Sequence, residues 1–223
     1  MKKRLLAKAL VSYLMGAFAV GLLVFLPAGT LRYPAGWLFC ALLFIPMLVL
    51  GVALWLKAPA LLEKRLNRRE AEAEQRKVIG ASVLMFLTGF IVNGLDFRFT
   101  WSRMPGWVTV LASLVFLFSY GLYAEVMREN AYLSRTVEVQ QGQRVIDTGL
   151  YGVVRHPMYA ASVLMFGSMP LVLGSWVALP VFLIYPFLMV RRIRNEEAVL
   201  EAGLAGYSEY KKKVRWRLIP LIW

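Results

Sequence analysis

The chain has 223 residues, of which 59% are hydrophobic and only 17% charged, and its mean hydropathy is +0.59. A soluble domain of this length needs far more polar surface, so composition excludes a freely soluble globular protein. The formal net charge is +13, but the basic residues flank apolar runs, where topogenic signals and lipid headgroups explain them, and no nucleic-acid partner is expected.

Six apolar segments follow one another, at roughly 9–27, 35–56, 78–95, 107–124, 157–173 and 175–190, none containing Asp, Glu, Lys or Arg. The first four are long enough to cross a hydrocarbon core about 30 Å thick. The first has the charge and apolarity of a signal peptide but no convincing small-residue cleavage site, so it reads as a retained helix. The stretch 57–77, "KAPALLEKRLNRREAEAEQRK", is expected to be partly an amphipathic helix lying along the interface, with Leu61, Leu62 and Leu66 on one face. Segments five and six are shorter and separated only by Gly174 and Ser175, which predicts a tight helical hairpin; a single re-entrant unit is the alternative. Pro46, Pro170, Pro180 and Pro186 read as kinks. The expected fold class is therefore an all-α integral membrane protein of about six transmembrane helices, carrying a C-terminal polar cap. It is one membrane domain over 1–223, with four spans in 1–124 and the chemistry-bearing region in 125–223.

Topology follows from the charges. Of the 26 Lys and Arg, 23 fall in 1–8, 57–77, 125–156 and 191–217; Arg32, Arg98 and Arg103 occupy the alternate loops. The positive-inside rule then makes the basic face cytoplasmic, with both termini inside. No internal repeat and no ionisable residue within the spans supports a transporter. Residues 136–147, "TVEVQQGQRVID", are expected to form a small hairpin or an extended loop.

His156 is the only histidine and precedes Pro157. Proline suits the first turn of a helix, so the fifth span is expected to start there, with its free backbone N–H groups and His156 facing the cytoplasm. That arrangement suits an anion, or a plain interfacial cap. Glu196 and Glu197 follow Arg191, Arg192 and Arg194; the pair suits a cation, or a solvated charge cluster. Arg192 and Glu196, four apart, share a helix face. Tyr207 and Tyr210 read as an interfacial belt or as the wall of a site for a flat ring. One cysteine and one histidine give no disulfide framework and no structural metal site.

Taken together, "DTGLYGVVRHPMY", an apolar hairpin, "RIRNEEAVL" and "GYSEYKKKVRWRLIP" occur in that order within residues 136–220. This combination resembles the isoprenylcysteine carboxyl methyltransferase family, which groups with membrane phospholipid methyltransferases. Leu150, where many members have Pro, and Ala161, where Gly is common, depart from its pattern. The resemblance implies that the C-terminal cap is a cytoplasmic, cofactor-binding one and that the cofactor is S-adenosylmethionine. It implies cofactor contacts from Gln143, Arg144, Val145, Ile146, Tyr151, His156, Pro157, Met158, Tyr159, Glu196 and Glu197, with Arg192 and His156 at the reacting end and no metal. The acceptor would be a lipophilic small molecule or lipidated substrate reached from the bilayer, most simply an isoprenylcysteine-type carboxylate. The competing expectations are an NADPH-dependent enzyme of the sterol-reductase type and a non-catalytic membrane protein that binds lipid.

Overall fold

The computed structural model describes residues 2–66, 73–134 and 136–223. Nine α-helices are found among them: α1 (Lys2–Ala28), α2 (Pro34–Lys57), α3 (Pro59–Leu66), α4 (Ala73–Phe99), α5 (Gly106–Glu129), α6 (Pro157–Val172), α7 (Leu179–Phe182), α8 (Tyr185–Gly203) and α9 (Tyr207–Lys213). The described residues contain no β-strand. Helices α1, α2, α4 and α5 are long and apolar enough to cross a membrane, and α6 is a shorter apolar helix. Only 6% of the apolar window of α1, and of α2, is buried inside the protein. Such faces demand a lipid environment, and the fold is that of an all-α integral membrane protein.

The last two apolar segments form the expected hairpin. Its turn lies at 173–178, where Gly174 has φ +83, a left-handed conformation that a residue with a side chain rarely adopts. The sixth segment is divided. Pro186 has no N–H to give to the carbonyl of Phe182, so the helix breaks at 183–184 and restarts as α8, which runs on into the polar region. Phe182 on α7 is fully buried, its ring 6.0 Å from those of Phe86 and Phe90 on α4, which ties the hairpin to the bundle.

The two ends of the bundle differ in chemistry. At the end holding the hairpin turn, Asp96 is 1% exposed. Its carboxylate accepts from the Ser102 amide at 2.7 Å, the Ser102 hydroxyl at 2.6 Å and the Ser175 hydroxyl. One side chain thereby joins α4, the loop before α5 and the hairpin turn. Tyr33, before α2, stacks on Phe97 at 4.0 Å and donates to the Leu173 carbonyl at 2.5 Å. Trp37, Trp101, Trp107 and Trp176 are exposed around this end, the belt expected where bilayer meets water.

The opposite end gathers the start of α1, the end of α2, α3, the first described turns of α4, the end of α5, the start of α6, and α9. Here the structure corrects one expectation. Leu61 and Leu62 of α3 are 5% and 6% exposed, and Leu61 packs with Val126, Met127, Leu133 and Tyr151. The apolar face of α3 is buried in protein rather than laid on lipid. Of the rest of that predicted interfacial stretch, residues 67–72 lie outside the described residues, and 73–77 open the long helix α4 instead. The sequence 136–147 forms an extended loop with a turn, held where Gln143 N–H donates to Gln140 O at 3.0 Å.

Replacing Asp96 by alanine leaves the buried Ser175 hydroxyl and the hydroxyl and amide of Ser102 without their acceptor. A loss of roughly 2–4 kcal/mol is expected, read as a lower unfolding midpoint in detergent.

Candidate functional site

The site is built on three short connections. The first joins α5 to a 3-10 turn, Gly149–Gly152. Gly149 has φ +50, and a Cβ there would fall on the carboxylate of Glu129, which instead accepts from the Leu150 amide at 3.1 Å. Only glycine meets both demands. Tyr151 in that turn is fixed from two sides: its hydroxyl accepts from Asn130 at 2.9 Å, and its carbonyl accepts from the Tyr210 hydroxyl at 2.8 Å.

The second connection is the start of α6. Pro157 opens the helix and His156 precedes it with φ −126, ψ 61, so proline sits where its missing N–H costs nothing. The third is the tail after α9. The amides of Arg155 and His156 donate to the carbonyls of Trp216 and Arg217, both at 2.9 Å.

Glu197 of α8 closes these pieces together. It is 3% exposed. Its Oε1 accepts from Arg155 Nε at 2.7 Å and lies 3.2 Å from His156 Nε2, and its Oε2 accepts from Arg217 Nε at 2.8 Å. Arg155 also donates to the carbonyls of Val214 and Arg215 at 2.7 and 2.8 Å. Burial by itself would raise the carboxyl pKa, but the hydrogen bonds from His156, Arg155 and Arg217 outweigh it and hold Glu197 well below the ordinary carboxylate range.

Glu196, one residue earlier, points elsewhere. The Tyr159 hydroxyl donates to its Oε2, and Arg192 Nε donates to that hydroxyl at 2.9 Å. The Arg192 guanidinium lies 5.8 Å from the centre of the Tyr159 ring. His156 stacks beside Tyr159 at 5.7 Å, with Nδ1 4.0 Å from Glu196.

These groups line a cavity with an empty volume of about 850 Å³, open mouth included. Gln143, Arg144, Val145, Ile146, Tyr151, His156, Pro157, Met158, Tyr159, Arg192 and Glu196 all line it. The structure therefore brings together every predicted site residue except Glu197, which stands behind the wall in its ionic cluster. The cavity has two characters. Leu200, Leu204, Tyr207, Tyr210 and Val145 make an apolar and aromatic lobe, and Arg192, Tyr159, Glu196 and His156 a polar one. Burial pushes the Tyr151 hydroxyl up to about 12 and raises those of Tyr207 and Tyr210 as well. They stay neutral, and Tyr210 donates to the Tyr151 carbonyl. The Tyr207 hydroxyl is buried and has no partner among the described residues, which leaves a donor at the cavity wall for a ligand.

Several contributors escaped the reading of the sequence. Arg155 and Arg217 carry the cluster around Glu197. Arg65 of α3 contacts the Tyr123 hydroxyl, the Ser134 carbonyl at 3.3 Å and Met158 Sδ at 3.7 Å, so it backs the cavity wall. The only local signal for Arg155 was a charge two residues before a helix-opening proline.

Comparison with known proteins falls on this region. Residues 109–202 match the model of the isoprenylcysteine carboxyl methyltransferase (ICMT) family. The ICMT match runs from the start of α5 to the end of α8 and includes the residues that position His156, Tyr159, Arg192 and the two glutamates. It stops before Tyr207, Tyr210 and Arg217. Two sterol reductases also match: Delta(14)-sterol reductase TM7SF2 of Mus musculus, 31% identical over 91 residues, and Delta(14)-sterol reductase of Methylotuvimicrobium alcaliphilum, 27% identical over 96 residues. Each match covers 40% of this chain and 22% of the relative, so the chain spans about a fifth of the length of those proteins.

The depressed pKa of Glu197 fixes the sign of an acid effect. Its contribution to stability is full above the ordinary value of 4.5 and is lost as pH falls below it. Glu197→Gln should abolish that part of the acid loss in detergent. At neutral pH it should cost roughly 3–5 kcal/mol, because it leaves Arg155 buried without its counter-charge.

Proposed function

We propose that this protein is a membrane methyltransferase that uses S-adenosylmethionine and methylates a lipophilic acceptor, most simply an isoprenylcysteine-type carboxylate. The observation that carries the reading is the coincidence of the ICMT match with the cavity: the matched stretch supplies most of its polar walls.

The residues present fit such a cofactor. Tyrosines 207 and 210 with Leu200 and Leu204 suit a flat adenine, and the unpartnered Tyr207 hydroxyl can donate to a ring nitrogen or ribose oxygen. Glu196 suits the ammonium group. His156 and the first amides of α6 suit the carboxylate. When bound, the cofactor supplies an electrophilic methyl group on sulfonium. The protein's own work is to orient that group and to exclude water, since displacement in line gains most from positioning.

For the acceptor, Arg192 stands in the polar lobe where a guanidinium can orient a carboxylate. Tyr159 steadies Arg192 by accepting from its Nε. A carboxylate acceptor needs no general base. An amine or thiol would need one, and the Nε2 of His156, the only histidine, lies against Glu197. The basic end that carries the cavity then faces the cytoplasm, where the cofactor is found, in keeping with the positive-inside count.

The sterol-reductase matches support a second reading, an NADPH-binding site in the same cavity. Calorimetry on detergent-purified protein separates the two. S-adenosylhomocysteine should bind saturably, and Glu196→Ala should weaken it by on the order of tenfold or more. NADPH binding without adenosylhomocysteine binding would assign the reductase reading; neither, in folded protein, would leave the lipid-binding one. Orientation is tested separately. With Cys40 removed, a cysteine at Gln141 should react with an impermeant thiol reagent only after the membrane is opened, and one at Arg103 should react from outside.

A further inference from the structure

A second polar feature lies on the outer surface, away from the cavity. Helix α4 enters the apolar layer at Val78 and α8 leaves it at Val190. At that level Glu74, Gln75 and Val78 of α4 face Arg191, Arg194 and Asn195 of α8 across a cleft with an empty volume of about 660 Å³. Arg191 and Arg194 are three apart, so they share a helix face, and both are exposed. Among the described residues neither has an ion pair or hydrogen bond. Glu74 pairs with Lys77 at 2.5 Å and also interacts electrostatically with Arg191, so among the described residues three cations face one carboxylate and the cleft keeps a net positive charge.

Two further observations say what would neutralise it. The face of α8 that bears the arginines continues toward the bilayer as Phe187 and Ile184, 73% and 47% exposed. Positions 184, 187, 191 and 194 form one stripe that changes from apolar to cationic over about three turns. In addition, Gln75 is fully buried at the cleft wall. Its Nε2 donates to Asn195 Oδ1 at 2.7 Å and to Arg192 O at 3.2 Å, but its Oε1 is buried with no donor among the described residues. A buried acceptor of this kind calls for a hydrogen-bond donor.

We propose that the α4–α8 cleft is a binding site for the phosphate headgroup of an anionic membrane lipid, one that also offers a hydroxyl. The phosphate bridges Arg191 and Arg194, the acyl chains lie along Phe187 and Ile184, and the headgroup hydroxyl donates toward Gln75. The lipid clamps α8 against α4. Helix α8 carries Arg192, Glu196 and Glu197, so the clamp steadies one wall of the cavity. The site does not depend on which reaction the cavity performs.

The test is thermal unfolding of delipidated protein in detergent, titrated with phosphatidylglycerol, phosphatidylcholine or inorganic phosphate. Phosphatidylglycerol should raise the midpoint saturably and the other two should not. Arg191→Ala with Arg194→Ala should lower the apparent lipid affinity by on the order of tenfold. Lys2→Ala with Lys3→Ala, which removes the same charge elsewhere on the same end, should leave it unchanged. An unaltered response in the arginine variant, or an equal response to phosphatidylcholine, overturns the proposal. Reproduction of the effect by inorganic phosphate overturns the lipid as its source.

Discussion

The cap depends on one buried carboxylate. Glu197 holds Arg155 and Arg217 and packs against His156, and so draws together α8, the entrance to α6 and the tail beyond α9. A buried charge is costly unless fully paired, and this one receives two guanidinium donors and an imidazole. Two backbone hydrogen bonds from residues 155 and 156 to the tail reinforce the same join. With that join in place, the neighbouring residue Glu196 and Arg192 one turn earlier are left turned toward the cavity. Structure and chemistry are thus divided between adjacent glutamates: one assembles the wall and the other faces what the wall encloses.

The opposite end of the bundle repeats the device in simpler form. Asp96 gathers three donors from α4, the loop before α5 and the hairpin turn, and fixes the far end of α6. Between these two polar locks the helices meet through apolar and aromatic contacts, with Phe116, Phe182 and Val172 fully buried. Lipid supplies no net hydrophobic drive for helix association, so polar locks at the ends and close packing between them must set the geometry. The start of α6, and with it His156 and Tyr159, is positioned from both ends.

Much of this was legible in the residues. Uncharged runs located the spans, the asymmetry of lysine and arginine separated the two ends, and the order of His156-Pro157, the apolar hairpin and Glu196-Glu197 located the cavity. What escaped depended on contacts distant in sequence. Adjacent residues on a helix point about 100° apart, so the pair 196–197 carried no mark of which one faces inward. Leu61 and Leu62 had the pattern of a lipid-facing stripe, but both are buried in the protein, Leu61 against the end of α5. Pro186 read as a kink, whereas the lost hydrogen bond to Phe182 divides the sixth segment. Asp96 lay just past an apolar run, and nothing local announced Ser102 and Ser175 as its partners.

A cavity with an aromatic lobe, a polar lobe and a guanidinium beside a carboxylate suits a ligand that is part flat ring and part zwitterion. The cavity and the family match together support methyl transfer. The most direct measurement is incubation of the reconstituted protein with S-adenosylmethionine labelled in its methyl group and an S-prenylated cysteine derivative in the membrane. Label that enters the lipid phase and is released by base as volatile methanol would establish a carboxyl methyl ester, the predicted result. Folded protein that binds neither the cofactor nor its demethylated product, and yields no labelled lipid with any acceptor, would contradict the reading.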